Sequence, residues 1–233
     1  MRFPDPLVPG RLVRRYKRFL CDVELASGAL VVAHCANSGS MLGLKDPGAP
    51  VWLSPSRNPK RKLAWTWELV ESAGALVGIN TSLPNALVAE ALAAEQIPEL
   101  AGYGSLRREV NYGSNSRIDL LLEQPGRPRC YVEVKSVTLK DDAGAAAFPD
   151  AVTARGTKHL NELRDQAARG ERAVMLYLVQ RADCHAFTTA RTIDPTYDQA
   201  LRRALADGVQ AYCYACRLTP GEIRLERRLP IEL

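Results

Sequence analysis

Asp119, Glu133 and Lys135 are the residues whose types and spacing can do chemistry in this chain. Two hard carboxylates can hold Mg2+ or Mn2+ while leaving coordination positions open for water and phosphate oxygens. An ammonium two residues beyond the second acid can orient an attacking water or offset the charge of a pentavalent phosphorane. Hydrolysis of a phosphodiester is the reaction such a set can perform. A plain hairpin with a Glu–Lys pair on a solvated face needs the same residues, and the hairpin alone does not separate the two readings.

The elements that must position these groups lie in residues 117–136, RIDLLLEQPGRPRCYVEVKS. Two apolar runs, 118–122 and 130–137, flank a break at Gln124-Pro125-Gly126-Arg127-Pro128. Two prolines remove ladder donors there and glycine loosens the backbone, so the segment reads as a β-hairpin. Alternation along the second arm puts Tyr131, Glu133 and Lys135 on one face and Val132 and Val134 on the other. Asp119, near the start of the first arm, can then meet Glu133 across the pair. The spacing Asp-x13-Glu-Val-Lys resembles the core of PD-(D/E)xK nucleases, with Ile118 standing where that motif has proline.

Composition is that of an ordinary globular protein, with 46% hydrophobic and 24% charged residues in 233. MRFPDPLVPG carries prolines where a leader would be apolar, and no apolar run approaches membrane-spanning length. A cytoplasmic protein with no membrane partner is expected, its six cysteines free thiols. Cys213-x-x-Cys216 has no second half and reads as packing, with zinc or redox use the alternative. Charge is uneven: residues 1–70 hold eleven Lys and Arg against five Asp and Glu, a balance of +6, and the remainder stands at −1. Such asymmetry points to a polyanion bound by the N-terminal third.

Taken in order, residues 1–80 read as a small β-barrel with period-2 patterning and short turns. Arg14, Arg15, Lys17 and Arg18 interleave with Tyr16 and Phe19, and Lys60-Arg61-Lys62 lies beside Trp65 and Trp67. Cations beside rings suit phosphates and bases, although a charged edge strand would look the same. Ala33-His34-Cys35-Ala36-Asn37-Ser38-Gly39-Ser40-Met41 reads as a turn-rich loop whose amides could alternatively cradle an anion.

Residues 81–233 read as a mixed sheet with helices on its faces, in the order α-β-β-β-α-β then α-β-β. Asn80-Thr81-Ser82 offers caps for a helix with Pro84 in its first turn, and Thr157 for a helix that runs to Arg169 and is closed by Gly170. On the first helix Glu90 shares a face with Ala86, Leu87, Ala93 and Ala94, and is either a rim residue or a further site carboxylate.

The chain resembles the sugar fermentation stimulation protein A (SfsA) family nearly end to end. The stretches that carry the likeness are Pro9-Gly10-Arg11-Leu12, Arg15-Tyr16-Lys17-Arg18-Phe19, Ala33-His34-Cys35 with Asn37 and Gly39-Ser40-Met41, Asn58-Pro59-Lys60-Arg61-Lys62-Leu63, Asn80-Thr81 with Pro84-Asn85, Arg117-Ile118-Asp119, Val132-Glu133-Val134-Lys135-Ser136-Val137 and Phe148-Pro149-Asp150-Ala151-Val152-Thr153 with Arg155-Gly156 and Lys158-His159-Leu160. The resemblance implies an α/β (α+β) fold, an oligonucleotide-binding (OB)-like barrel in 1–80 followed by a PD-(D/E)xK nuclease-like domain in 81–233. It implies binding of DNA with little sequence preference. Asp119 and Glu133 match the metal-binding acids, Lys135 the catalytic lysine, and Glu90 a helix glutamate that some such nucleases add. Arg155 and Lys158 fall where such folds place phosphate-facing cations. The expected activity is a Mg2+- or Mn2+-dependent nuclease acting on DNA or RNA, with a homo-oligomer left open. Its rival is a non-catalytic DNA-binding regulator of sugar (maltose) metabolism that retains the fold.

Overall fold

The computed structural model describes residues 1–113 and 116–233. Among these residues the chain forms two six-stranded sheets, a three-stranded sheet and three α-helices. No helix among them is long and apolar enough to cross a membrane.

The first sheet comprises β1 (Val8–Tyr16), β2 (Leu20–Leu25), β3 (Leu30–Cys35), β4 (Pro50–Pro55), β5 (Trp65–Ser72) and β6 (Ala75–Gly78), in the order β3-β2-β1-β4-β5-β6. Pairing of β3 with β5 closes it into the OB barrel. Alternation sends Leu12, Val23, Ala33, Leu53 and Trp67 into the barrel core, which explains why strands this short hold together. A row of ladder partners, Tyr16, Leu20, His34, Thr66 and Ser54, crosses the barrel near one end. The turn at residues 17–19, the loop at 36–41 and the connection at 56–64 all leave from that end.

The second sheet runs β15-β14-β12-β9-β8-β7. Its strands are β7 (Ser105–Tyr112), β8 (Ser116–Glu123), β9 (Cys130–Val137), β12 (Arg172–Val179), β14 (Gln210–Leu218) and β15 (Ile223–Leu229). Strand β12 is parallel to β9 and β14, and the other pairs are antiparallel. Helix α1 (Pro84–Ala93) covers one face through Leu87, Val88 and Ala91 against Val132 and Leu176. Helices α2 (Ala154–Ala168) and α3 (Pro195–Ala206) cover the other through Leu160, Leu163 and Tyr197 against Tyr131 and Met175. With helices on both faces, β12 is a nearly continuous apolar run, as the interior of a mixed sheet requires, whereas β9 is interrupted by Glu133, Lys135 and Ser136. Short β10 (Leu139–Lys140), β11 (Ala146–Phe148) and β13 (Phe187–Thr189) form the third sheet beside this layer.

The mixed architecture is the expected one, and the differences are local. Helix α1 is capped by no side chain: Asn80 Oδ1 instead accepts the Ser82 amide at 3.0 Å, so Asn80-Thr81-Ser82 make a turn before the helix. Helix α2 begins at Ala154, earlier than Thr157, because Thr153 accepts from the Gly156 amide at 3.0 Å and caps the first turn. Residues 140–152, whose Asp and Ala content suggests a loop, hold the end of β10 and all of β11. Of the loop expected at Gly113-Ser114-Asn115, Ser114 and Asn115 lie outside the described residues. All six cysteines are free and buried. Cys213 and Cys216 belong to the cores on opposite faces of β14, which fits packing and excludes a shared ligand set.

Barrel and second sheet meet at two seams. Gly78 donates its amide to Gln180 O at 2.9 Å, and Val77 bridges Arg181. Ser40 and Met41 bond to Asp150 at the other seam.

Candidate active site

The β8–β9 ladder runs from Leu122↔Cys130 to Leu120↔Val132, one pair short of Asp119. There Asp119 Oδ2 accepts the Val134 amide at 2.8 Å, so a side chain takes the donor that a ladder carbonyl would otherwise receive. The strands part at this point. From the first turn of α1, Asn85 donates to Asp119 Oδ1 at 2.8 Å and lies 3.3 Å from Glu109 Oε1 on β7. Burial raises the Asp119 pKa, and the Glu133 charge raises it further against the two hydrogen bonds.

Glu133 lies on β9 between β8 and β12 and is 2% exposed. One of its oxygens, Oε1, receives Lys135 Nζ at 2.7 Å and the Nδ1 of His159. The other, Oε2, is buried without a hydrogen-bond partner. Burial pushes the Glu133 pKa up, but His159 and Lys135 outweigh it and the net shift is downward. Arg155 Nε donates to His159 Nε2 at 3.3 Å, one helical turn earlier on α2. That bond assigns the neutral ring proton to Nδ1, where it points to Glu133. Lys135 Nζ is 3.1 Å from the same Nδ1.

Asp119, Glu133 and Lys135 line one cavity together with Arg155 and His159 of α2, and Lys158 lines a second cavity that shares Asp119, Arg155 and His159 with it. Glu90 lines neither. Its carboxylate binds the Met1 amine at 2.7 Å and is 58% exposed, because the α1 face it shares turns away from Asp119. Among the described residues no group of three His, Cys, Asp or Glu side chains is placed to hold a metal ion. The residues that could hold one are Asp119 and Glu133, through the unpartnered Glu133 Oε2.

The basic residues of the barrel divide. Lys17 and Arg18 form the exposed β1–β2 turn, with φ of 47° and 63°. Lys60, Arg61 and Lys62 are exposed in the connection at the same end, with Arg61 bonded to Thr66 Oγ1 at 2.9 Å. Arg14 lies over the Tyr16 ring at 4.8 Å, and both bond Asp22. Arg15 departs from the expectation. Its guanidinium donates to the carbonyls of Arg18, Asn37 and Gly39 at 2.9–3.0 Å, so it braces the barrel's own loops. The 36–41 loop makes no anion cradle, since the Gly39 amide bonds Asn37 Oδ1 and the Met41 amide bonds Asp150.

Sequence reasoning missed Asn85 and His159. His159 lies four residues after Arg155, a spacing that puts both on one helical face and was readable. Asn85 belongs to a stretch that carries the family likeness, but its role depends on how α1 crosses β8.

Two family models cover the chain. The SfsA N-terminal OB domain matches residues 13–79 and the sugar fermentation stimulation protein RE domain residues 82–222. The sugar fermentation stimulation protein homolog of Paramagnetospirillum magneticum is 60% identical over 100% of this chain and 98% of its own length. That of Rhodospirillum centenum is 61% identical over 98% of each. Among solved structures, Pyrococcus furiosus SfsA in complex with Ca2+ matches with a TM-score of 0.91 at 27% identity, covering 100% of this chain and 98% of that one.

Proposed function

The chain belongs to the sugar fermentation stimulation protein (SfsA) family, and from that premise we propose that it is a nucleic-acid-binding phosphodiesterase dependent on a divalent cation, Mg2+ or Mn2+. One observation carries the reading. A buried carboxylate oxygen without a partner, Glu133 Oε2, stands beside a second carboxylate whose pKa that same residue raises. Such a pair is costly unless a cation offsets it, and two carboxylates completed by water and phosphate oxygens are a usual Mg2+ arrangement. The Ca2+ bound by the Pyrococcus furiosus relative supports a divalent ion in this fold.

Bound there, the ion would supply Lewis-acid polarisation of the phosphate and a more acidic water. The chain's own groups do the rest. Asn85 and the Val134 amide fix the Asp119 carboxylate, and His159 fixes Glu133 by its Nδ1 proton. Lys135, held on Glu133 Oε1, offers an ammonium to charge developing on the phosphate. Arg155 and Lys158 draw the flanking backbone toward the acids. The exposed cations at the barrel end, Lys17, Arg18, Lys60 and Lys62, together with Arg14 over the Tyr16 ring, supply sequence-independent affinity for DNA or RNA.

Calorimetric titration of Mn2+ into the parent and Asp119→Asn, beside cleavage assays on DNA and RNA, tests this. The expected result is binding and cleavage by the parent alone. Tight DNA binding with no cleavage in Mn2+ would replace this reading with the regulator. Equal cleavage by Asp119→Asn would move the activity elsewhere.

A further inference from the structure

Two cavities flank the acids. The inner one, about 350 Å3, is lined by Asp119, Glu133, Lys135 and Phe148, and on its far side by Asn37, Ser38 and Gly39 of the barrel. The outer one, about 760 Å3, is lined by Arg117, Lys158 and Glu109 and shares Asp119, Arg155 and His159 with the inner. Together they make one trough that passes the carboxylates, basic at its outer end and walled by the barrel loop at its inner end.

That wall is fixed. Ser40 Oγ donates to Asp150 O at 2.7 Å, and the Met41 amide donates to Asp150 Oδ2 at 3.0 Å. Asn37 Nδ2 donates to Ile79 O at 3.0 Å, while Arg15 holds the carbonyls of Asn37 and Gly39. A Cβ on Gly39 would stand 2.9 Å from Asp150 Oδ2, so a side chain there would push against the carboxylate that anchors the loop. Gly39 serves the fit by having no side chain.

Resting on the phosphodiesterase reading, we propose that the trough takes an unpaired strand and excludes a continuous duplex. The phosphate must reach Glu133, which is 2% exposed, between the sheet and the barrel wall. An inner volume of about 350 Å3 is at the low end of the roughly 300–1,000 Å3 that holds one small molecule. One nucleotide fits such a space, whereas a base pair brings the opposite strand with it. The lining also offers a lone base the Phe148 ring and the exposed Ser38 hydroxyl. Arg117, Arg155 and Lys158 match the backbone of the entering strand, and the exposed end of the barrel continues the basic path.

Ser38 is exposed and all six native cysteines are buried, so Ser38→Cys can carry a thiol-directed photo-crosslinker alone. The probes are a single-stranded DNA circle, the corresponding RNA circle and a covalently closed, fully paired duplex circle, tested without metal. Crosslinking at position 38 to a single-stranded circle and not to the duplex is expected, the two single-stranded arms telling DNA from RNA. The adduct should also weaken single-strand binding about tenfold, the scale of one blocked base stack, while duplex binding and melting stay unchanged. Asp150→Ala, which releases the wall, should narrow the preference for single strands. Equal crosslinking to the duplex overturns the proposal and leaves the phosphodiesterase reading standing, as does no crosslinking to any circle while Mn2+ still binds. Single-strand crosslinking without any cleavage in Mn2+ upholds the trough and overturns the phosphodiesterase reading.

Discussion

Asp119 Oδ2 holds the Val134 amide at 2.8 Å, so the carboxylate that parts strands β8 and β9 is also the one that stitches them together. The opening in the sheet and the acid at its edge are one structural event. Substitutions at Asp119 therefore read out on stability and on ligand binding at once, with opposite signs.

Asp119→Asn should leave metal-free melting unchanged or a few degrees higher. The folded-state pKa of Asp119 is raised, so its favourable contribution exists at low pH and is lost as pH rises through the folded value; at neutral pH its charge is a cost. In the parent, Mn2+ at a hundred times its Kd should add about 2.7 kcal/mol, roughly 5–10 °C in melting temperature for a chain of this size. Asparagine should abolish that gain. Scanning fluorimetry with and without Mn2+ decides, and a metal-induced shift retained in Asp119→Asn would remove the residue from the site.

Lys135→Ala should keep the Mn2+ affinity and lose cleavage by about 10²–10³, the scale of a lost charge stabiliser at a transition state. Glu90→Gln should change neither, because Glu90 pairs with the Met1 amine outside the trough. Titration calorimetry and single-turnover cleavage of both proteins measure the contrast.

His159→Ala should weaken Mn2+ binding about 10–100-fold although the residue is no ligand, since it orients Glu133 from behind. His159→Asn, which keeps a donor near Nδ1, should recover part of that loss. A merely structural role would lower the melting temperature of both variants and leave the affinity of the folded fraction intact.

A pH test lies away from the trough. Burial pushes the Asp183 carboxyl up, but Arg181 and Lys140 bring it down to about 2. A depressed carboxylate contributes stability above its unfolded pKa, near 3.8, and loses it as pH falls toward about 2. Asp183→Asn should therefore melt several degrees lower at neutral pH, and the gap should narrow below about pH 4. Equal melting of the two proteins at pH 7 would rule out the contribution.

The cations of the barrel can be told apart by salt. Replacing Lys17, Arg18, Lys60 and Lys62 with Gln should lower the log–log salt slope of duplex or single-strand binding by about 0.7–0.9 for each phosphate that is no longer neutralised. Arg15→Gln should instead lower the melting temperature, because its bonds go to the carbonyls of Arg18, Asn37 and Gly39. A salt slope that the fourfold variant leaves unchanged would remove the barrel end from the binding path.

Much of this architecture is legible in the sequence. Period-2 patterning with short turns in residues 1–80 and the proline break at 124–128 place the barrel strands and the β8–β9 hairpin, because both signals are local. Asp119, Glu133 and Lys135 are readable for the same reason. Glu90 is misplaced by its spacing, because helical periodicity says which residues share a face and not which way the face turns. Arg15 and Lys17 look alike in sequence, and only the closure of the barrel separates a brace from an exposed cation. Asp150 gives no sign of its part, since Ser40 and Met41 lie 110 and 109 residues before it.

That separation has a consequence for how the protein is made. At about 5–20 residues per second, a ribosome takes on the order of 5–20 s to travel from Met41 to Asp150. Through that interval the nascent barrel can close its ladders, but the 37–41 loop lacks its anchor and the Gly78 amide still awaits Gln180. The barrel therefore leaves the tunnel as an incomplete mould, and the last wall of the trough sets only when the second half of the chain arrives to receive it.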